Sequence, residues 1–129
     1  MSACPCGGVD YARCCGRFID GTETPASAEH LMRARYTATT QNDEAYIAKT
    51  WAPQTRPPAP LTAPDDATKW LGLDIRDSSS IGDSATVEFV ARYKINGRAH
   101  RLHEVSRFVR EDQRWLYLDG SFPESRTTS

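Results

Sequence analysis

An α+β fold is predicted by a change of period along the chain and by one short turn motif. Apolar residues recur at helical spacing between Ser27 and Trp51, then alternate with polar ones from Leu71 onward. Asn96-Gly97 marks a tight type I′ hairpin between two alternating runs. Helices followed by an antiparallel meander, with the helices covering one sheet face, define that class.

The amino end comes first and stands apart. All four cysteines lie there, at Cys4, Cys6, Cys14 and Cys15, spaced as Cys-x-Cys, seven residues, then Cys-Cys. Thiols on a segment too short to bury a core favour one tetrahedral metal ion, Zn²⁺ by ligand type. Gly7 and Gly8 let the backbone turn between the pairs. Two disulfides or a redox pair are the alternatives. Met1-Ser2-Ala3 offers neither the basic flank nor the apolar run of a signal peptide, so a cytoplasmic, reducing setting with free thiols is expected. No Cys-x-x-Cys in a βαβ context supports redox chemistry. Arg13 and Arg17 flank this lobe, and we read them as screening its thiolates. The chain divides into a zinc lobe over 1–20, an α+β domain over 21–122 and a disordered tail over 123–129.

Composition narrows the function classes. Charged residues make up 26% of the 129 and hydrophobic ones 39%, an ordinary balance for a globular chain. The formal charge of −1 does not favour a nucleic-acid partner, which needs a basic face, although Arg13, Arg17 and Arg33 offer a local patch. No apolar run approaches the roughly 20 residues of a membrane-spanning helix.

Residues 16–25 read as a connector broken by Gly21 and Pro25. Ser27 is an N-cap and Glu29 sits in the favourable first turn of a helix. Ala28, Leu31, Met32, Arg35 and Tyr36 form its inner stripe, with Arg35 read as snorkelling to solvent. Asn42 or Asp43 caps a shorter helix, in which Tyr46, Ile47, Thr50 and Trp51 share a face and which Pro53 stops. Prolines at 53, 57, 58, 60 and 64 make a stiff loop, and Asp65 or Asp66 can start a helical turn before Trp70. Leu71, Leu73 and Ile75 line one side of a first strand, and the polar run 77–84 turns the chain. A second strand covers 86–95, a third runs to about Arg110, and a fourth covers 115–120. Asp112-Gln113 occupies the position of another tight turn, but Gln113 is a poor left-handed residue, which argues for a longer loop.

The Asn96-Gly97 turn sets the hairpin register. Ile95 faces Arg98, Tyr93 His100, Ala91 Leu102, Phe89 Glu104 and Val87 Ser106, all on one side of the sheet. If the second turn is also tight, Trp115, Tyr117 and Asp119 join that side. An aromatic wall with converging polar groups suits a small-molecule pocket, with Arg35, Trp51, Glu104, Ser106, Trp115, Tyr117 and Asp119 as candidates. The competing reading is a closed ion pair between Glu104 and Arg35. His103 falls on the other side as an ordinary strand residue. No Ser-His-Asp grouping, phosphate-cradling glycine loop or two-histidine metal spacing is found, so no catalytic motif supports an enzyme.

These residues resemble a known family. Cys4-Pro5-Cys6-Gly7 through Cys14-Cys15-Gly16 is similar to the SEC-C motif, the zinc segment also found at the carboxyl end of the preprotein translocase motor SecA. Ala28 to Tyr36, Lys49-Thr50-Trp51, Trp70 to Leu73, Glu104-x-Ser106-Arg107-Phe108 and Trp115-x-Tyr117-x-Asp119-Gly120 resemble the YchJ family. The resemblance implies an NTF2-like cone, in which helices on a curved antiparallel sheet enclose a cavity, and zinc ligation by Cys4, Cys6, Cys14 and Cys15. It also implies a protein-interaction or adaptor role for the lobe, because the translocase segment docks a chaperone. Binding or catalysis of a small molecule in the cavity is the alternative. The chain departs from the longer SEC-C form by one residue fewer between its cysteine pairs and by Gly8 at a serine position. Ala52 stands where relatives often carry histidine, so no role for that histidine carries over.

Overall fold

The computed structural model describes residues 3–58, 61 and 68–122. After a 3₁₀ turn over Tyr11–Arg13 come α1 (Gly16–Ile19), α2 (Ala28–Thr40) and α3 (Glu44–Lys49), then β1 (Thr68–Ile81), β2 (Ser84–Ile95), β3 (Arg98–Glu111) and β4 (Arg114–Ser121). The strands form one antiparallel sheet in chain order. The expected helical turn at Asp65 or Asp66 and the expected tail lie outside the described residues.

Ser27 caps α2, its Oγ accepting from the His30 amide at 3.1 Å, and Asp43 caps α3 by accepting from the Tyr46 amide at 3.1 Å. Each cap satisfies an amide that the first helical turn leaves without a partner. The inner stripe of α2 packs Leu31, Met32, Ala34 and Tyr36 against Val87, Phe89 and Ala91 of β2 and Phe108 of β3. Leu31 and Phe108 are each 1% exposed, and such burial is worth about 1.5–3 kcal/mol per side chain.

The β2–β3 register follows the Asn96-Gly97 turn along its whole length, including Phe89 opposite Glu104 and Val87 opposite Ser106. Asn96 (φ 50°) and Gly97 (φ 83°) both take the left-handed conformation that the turn needs. Asp112 (φ 52°) and Gln113 (φ 65°) do the same, so the second turn is tight despite its glutamine.

Three corrections concern the strands and one the connector. β1 runs through the polar segment expected to turn, and the chain reverses at Gly82-Asp83 instead. Register shifts at Leu71 and Arg76 make Trp70, Leu73 and Ile75 face the partners Tyr93, Ala91 and Phe89, while Leu71 is 54% exposed. In β4 a shift at Leu118 pairs Arg107 with Asp119 and Ser106 with Gly120. Each bulge adds an unpaired residue and bends its strand, which curves the sheet around the helices. The expected connector contains α1, whose Phe18 is buried in the main core.

Residues 50–52 run beside β4. The Tyr117 amide donates to Thr50 O and the Ala52 amide to Tyr117 O, both at 2.8 Å. Thr55 Oγ1 adds a bond to Leu118 O at 2.6 Å. Pro53 therefore follows a strand-like contact rather than ending the helix, which stops at Lys49.

Candidate metal centre and cavity

Two tight pieces of backbone aim the cysteines at one point. A turn closed by Cys4 N–H to Gly8 O and Gly7 N–H to Cys4 O, each 2.9 Å, carries Cys4 and Cys6, with Gly7 at φ 107°. The 3₁₀ turn ends on Cys14, and Cys15 is the N-cap of α1. The Sγ atoms of Cys4, Cys6, Cys14 and Cys15 all lie within 4.8 Å of one another. Cys6–Cys14 is 3.5 Å and Cys14–Cys15 3.9 Å, and all four are free thiols. A tetrahedron with metal–sulfur bonds of about 2.3 Å has edges of about 3.8 Å, so the donor set fits one four-coordinate metal ion.

The lobe is not a separate appendage. Cys4, Cys6 and Cys15 belong to the same buried cluster as α2, and Cys4 Sγ meets Thr37 Oγ1 at 3.7 Å. Arg33 of α2 donates to Cys6 O at 3.1 Å while paired with Glu29, and Arg17 donates to Cys14 O at 3.1 Å. Arg13 instead meets Asp10 at 3.7 Å, its side chain 89% exposed. Thr37 carries no sequence signal as a lobe residue because its contact is long-range, whereas Arg33 was grouped with Arg13 and Arg17 only as a surface patch. Hydrogen bonding from Cys15 holds the Cys6 thiol down at about 4. Burial pushes Cys14 up to about 11, and the hydrogen bond to Cys6, with burial, pushes Cys15 far above the usual thiol range. Metal binding must displace those protons. Gly8 explains the serine departure: a Cβ there would lie 2.8 Å from Cys14 Sγ.

The second feature is a cavity of about 200 Å³ between α2, α3 and the sheet. Arg35, Trp51, Glu104, Ser106 and Tyr117 line it. Phe89 lines it from the expected side of the sheet, whereas Tyr36 and Trp70 were not expected in its wall; Trp70 reaches it only through the bulge at Leu71. Trp115 and Asp119 do not line it. Trp115 lies nearer the second turn, buried under the Arg110 guanidinium 5.2 Å from its ring. The bulge at Leu118 turns Asp119 to the other side, where it forms a bidentate pair with Arg107.

Arg35 does not snorkel; it is 7% exposed. Its Nη1 donates to Thr50 Oγ1 at 2.7 Å and Ile47 O at 3.1 Å, and its guanidinium carbon lies 4.5 Å from the Tyr117 ring centroid. Burial lowers its pKa to about 10, against the opposing charge of Glu104, so it remains a cation at neutral pH. Glu104 Oε2 accepts from Ser106 Oγ at 2.8 Å and Tyr117 OH at 2.9 Å. Burial, then the Glu104 charge, pushes the Tyr117 phenol up. Gly120 makes room: a Cβ there would overlap Glu104 Oε2. The closed Arg35–Glu104 ion pair is not formed.

Comparison with known proteins joins the two features. The chain is 53% identical over 130 residues to a UPF0225 protein of Ralstonia nicotianae, covering 92% of this chain and 90% of that one. It is 53% identical over 119 residues to one of Methylibium petroleiphilum, covering 91% and 86%. The solution structure of a SEC-C motif containing protein from Rhodopseudomonas palustris superposes with a TM-score of 0.81 at 34% identity, covering 94% of this chain and 98% of that one. The crystal structure of a SEC-C motif containing protein from Psychrobacter arcticus gives 0.73 at 28%, covering 92% and 81%. The family model described as the middle NTF2-like domain of YchJ matches residues 27–120, the span of the helices and sheet that enclose the cavity, and with these relatives it places the chain in the YchJ (UPF0225) family.

Proposed function

We propose that the chain is a cytoplasmic zinc protein whose metal lobe docks another protein. The observation that carries this reading is the convergence of four cysteine sulfurs within 4.8 Å. An all-thiolate tetrahedral set suits Zn²⁺, and because it has no open position the metal is structural rather than catalytic. Cys4, Cys6, Cys14 and Cys15 hold the ion; its chemistry there is to cross-link a lobe that has little core of its own. The lobe displays Val9, 92% exposed, and the Arg13 side chain at its surface, an apolar and cationic pair suited to a protein partner. Elemental analysis of protein purified without chelator tests the metal, with one zinc per chain expected. A pull-down comparing wild type with Val9→Asp, Cys14→Ser and Cys15→Ser tests the docking; equal partner recovery from all four would count against it.

A second reading concerns the body: the cavity binds a small molecule. It is favoured by the buried polar groups of Arg35 and Glu104, which share that space without closing on each other.

A further inference from the structure

The cavity holds opposite charges whose outward edges are unused. Both hydrogen bonds of Arg35 leave from Nη1, so among the described residues Nε and Nη2 have no partner. Both hydrogen bonds to Glu104 from the described residues arrive at Oε2, pinned beside Gly120, and Oε1 receives none from them. Neither edge belongs to the buried, unpartnered side-chain atoms of the described residues, so both open on the cavity space rather than lying sealed in a core.

The same edges restrict what can enter. The two charges cancel, so a charged occupant would leave one of them uncompensated in a low-dielectric space. An apolar occupant would strip both edges of water and return nothing. An amino-acid zwitterion balances the charges but must itself lose the hydration of both ends. A neutral group that presents a donor beside an acceptor meets neither objection. The remaining wall is largely apolar, with the rings of Tyr36, Trp51, Trp70 and Phe89 beside the aliphatic Met32 and Leu102, and aromatic rings favour a planar ring as neighbour. At about 200 Å³ the space falls below the roughly 300–1,000 Å³ of drug-sized sites, which sets the scale at one or two fused rings.

We infer that the cavity selects a small, neutral, planar heteroaromatic molecule with a lactam-type edge. Its ring N–H donates to Glu104 Oε1, and its adjacent carbonyl accepts from Arg35. This rests on the second reading above, that the cavity is a small-molecule site. Gly120 acts as a positioning residue here, holding Oε2 so that Oε1 faces the space.

The test is a titration of the full chain followed through the Trp51 and Trp70 indole N–H resonances. The probes are quinazolin-4(3H)-one, its 3-methyl derivative, quinoline-4-carboxylate and L-tryptophan. We expect quinazolinone to shift both indoles and the methylated analogue, which has lost the donor, to bind about tenfold more weakly or worse. In Glu104→Gln the amide oxygen stays with Ser106 and Tyr117, so the amide nitrogen faces the cavity as a donor. The preference between the two lactams should then reverse, an outcome that simple loss of packing does not produce. If none of the probes shifts the indoles, the cavity reading itself is overturned. Binding of the carboxylate or of tryptophan in preference to quinazolinone keeps the cavity and overturns the ligand class. Equal affinity for the two lactams in the wild type also overturns the class.

Discussion

Replacing Gly8 by alanine puts the metal lobe under a defined load. The new Cβ would stand 2.8 Å from Cys14 Sγ, 3.3 Å from Cys14 Cβ and 3.4 Å from Cys4 Cβ. Favourable contact begins near about 3.5 Å, so the turn or Cys14 must yield by roughly 0.7 Å. Metal–ligand distances tolerate only about 0.2 Å. Neither neighbour moves freely, because Cys14 ends a hydrogen-bonded 3₁₀ turn and Cys4 is packed on α2. Disturbing one ligand in this way compares with removing a supporting residue around a metal, about 10–100-fold in affinity, or about 1.4–2.8 kcal/mol. The assay is zinc competition against a chromophoric chelator, with Co²⁺ absorption reporting the number of sulfur ligands. Val9→Ala, at the exposed neighbouring position, serves as the control and should bind like wild type. Gly8→Ala protein with undiminished affinity and an unaltered Co²⁺ spectrum would refute the reasoning.

Further outcomes follow from the sheet. Gly120→Ala drives the Glu104 carboxylate from Ser106 and Tyr117 and should destabilise the fold by about 2–4 kcal/mol in chemical denaturation; an unchanged midpoint would show that Glu104 has room elsewhere. Gln113→Gly relieves a left-handed glutamine at φ 65° and should raise stability by about 0.5–1 kcal/mol, with the denaturant slope unchanged. The Arg107 guanidinium holds the Asp119 carboxyl below its ordinary range, so that pair stabilises above the unfolded carboxylate value near 4 and stops doing so as pH falls through the depressed folded value. Asp119→Asn should therefore flatten the acid limb of the stability profile, and added salt should shrink the difference from wild type.

Parts of this fold could be read from the residues because local chemistry left no choice. A tight Asn-Gly turn admits one pairing register, and every pair from Ile95–Arg98 back to Ser84–Val109 obeys it. The two helix caps and the cysteine cluster were legible for the same reason, since each rests on a short motif. What escaped depends on contacts distant in sequence or on backbone irregularities without a residue signature. Leu71, Arg76 and Leu118 look like ordinary alternation, yet each is the extra residue of a bulge. The first brings Trp70 to the cavity and the last removes Asp119 from it. Arg35 was placed on the correct helix stripe, but its fate depended on Thr50 and the Ile47 carbonyl, which α3 delivers from elsewhere. Gln113 misled because a propensity that opposes a tight turn was outweighed by the strands pulling on both its ends.

The strand-like seating of residues 50–52 has a colloidal consequence. An open sheet margin is a template on which another polypeptide can add and begin a fibril. Here the Tyr117 amide and carbonyl on the outer margin of β4 are already engaged. The opposite margin, on β1, is kinked in two places and carries Asp74 and Asp77. Neither flank is left straight and vacant, so the long hairpins of this sheet can remain dispersed at high concentration.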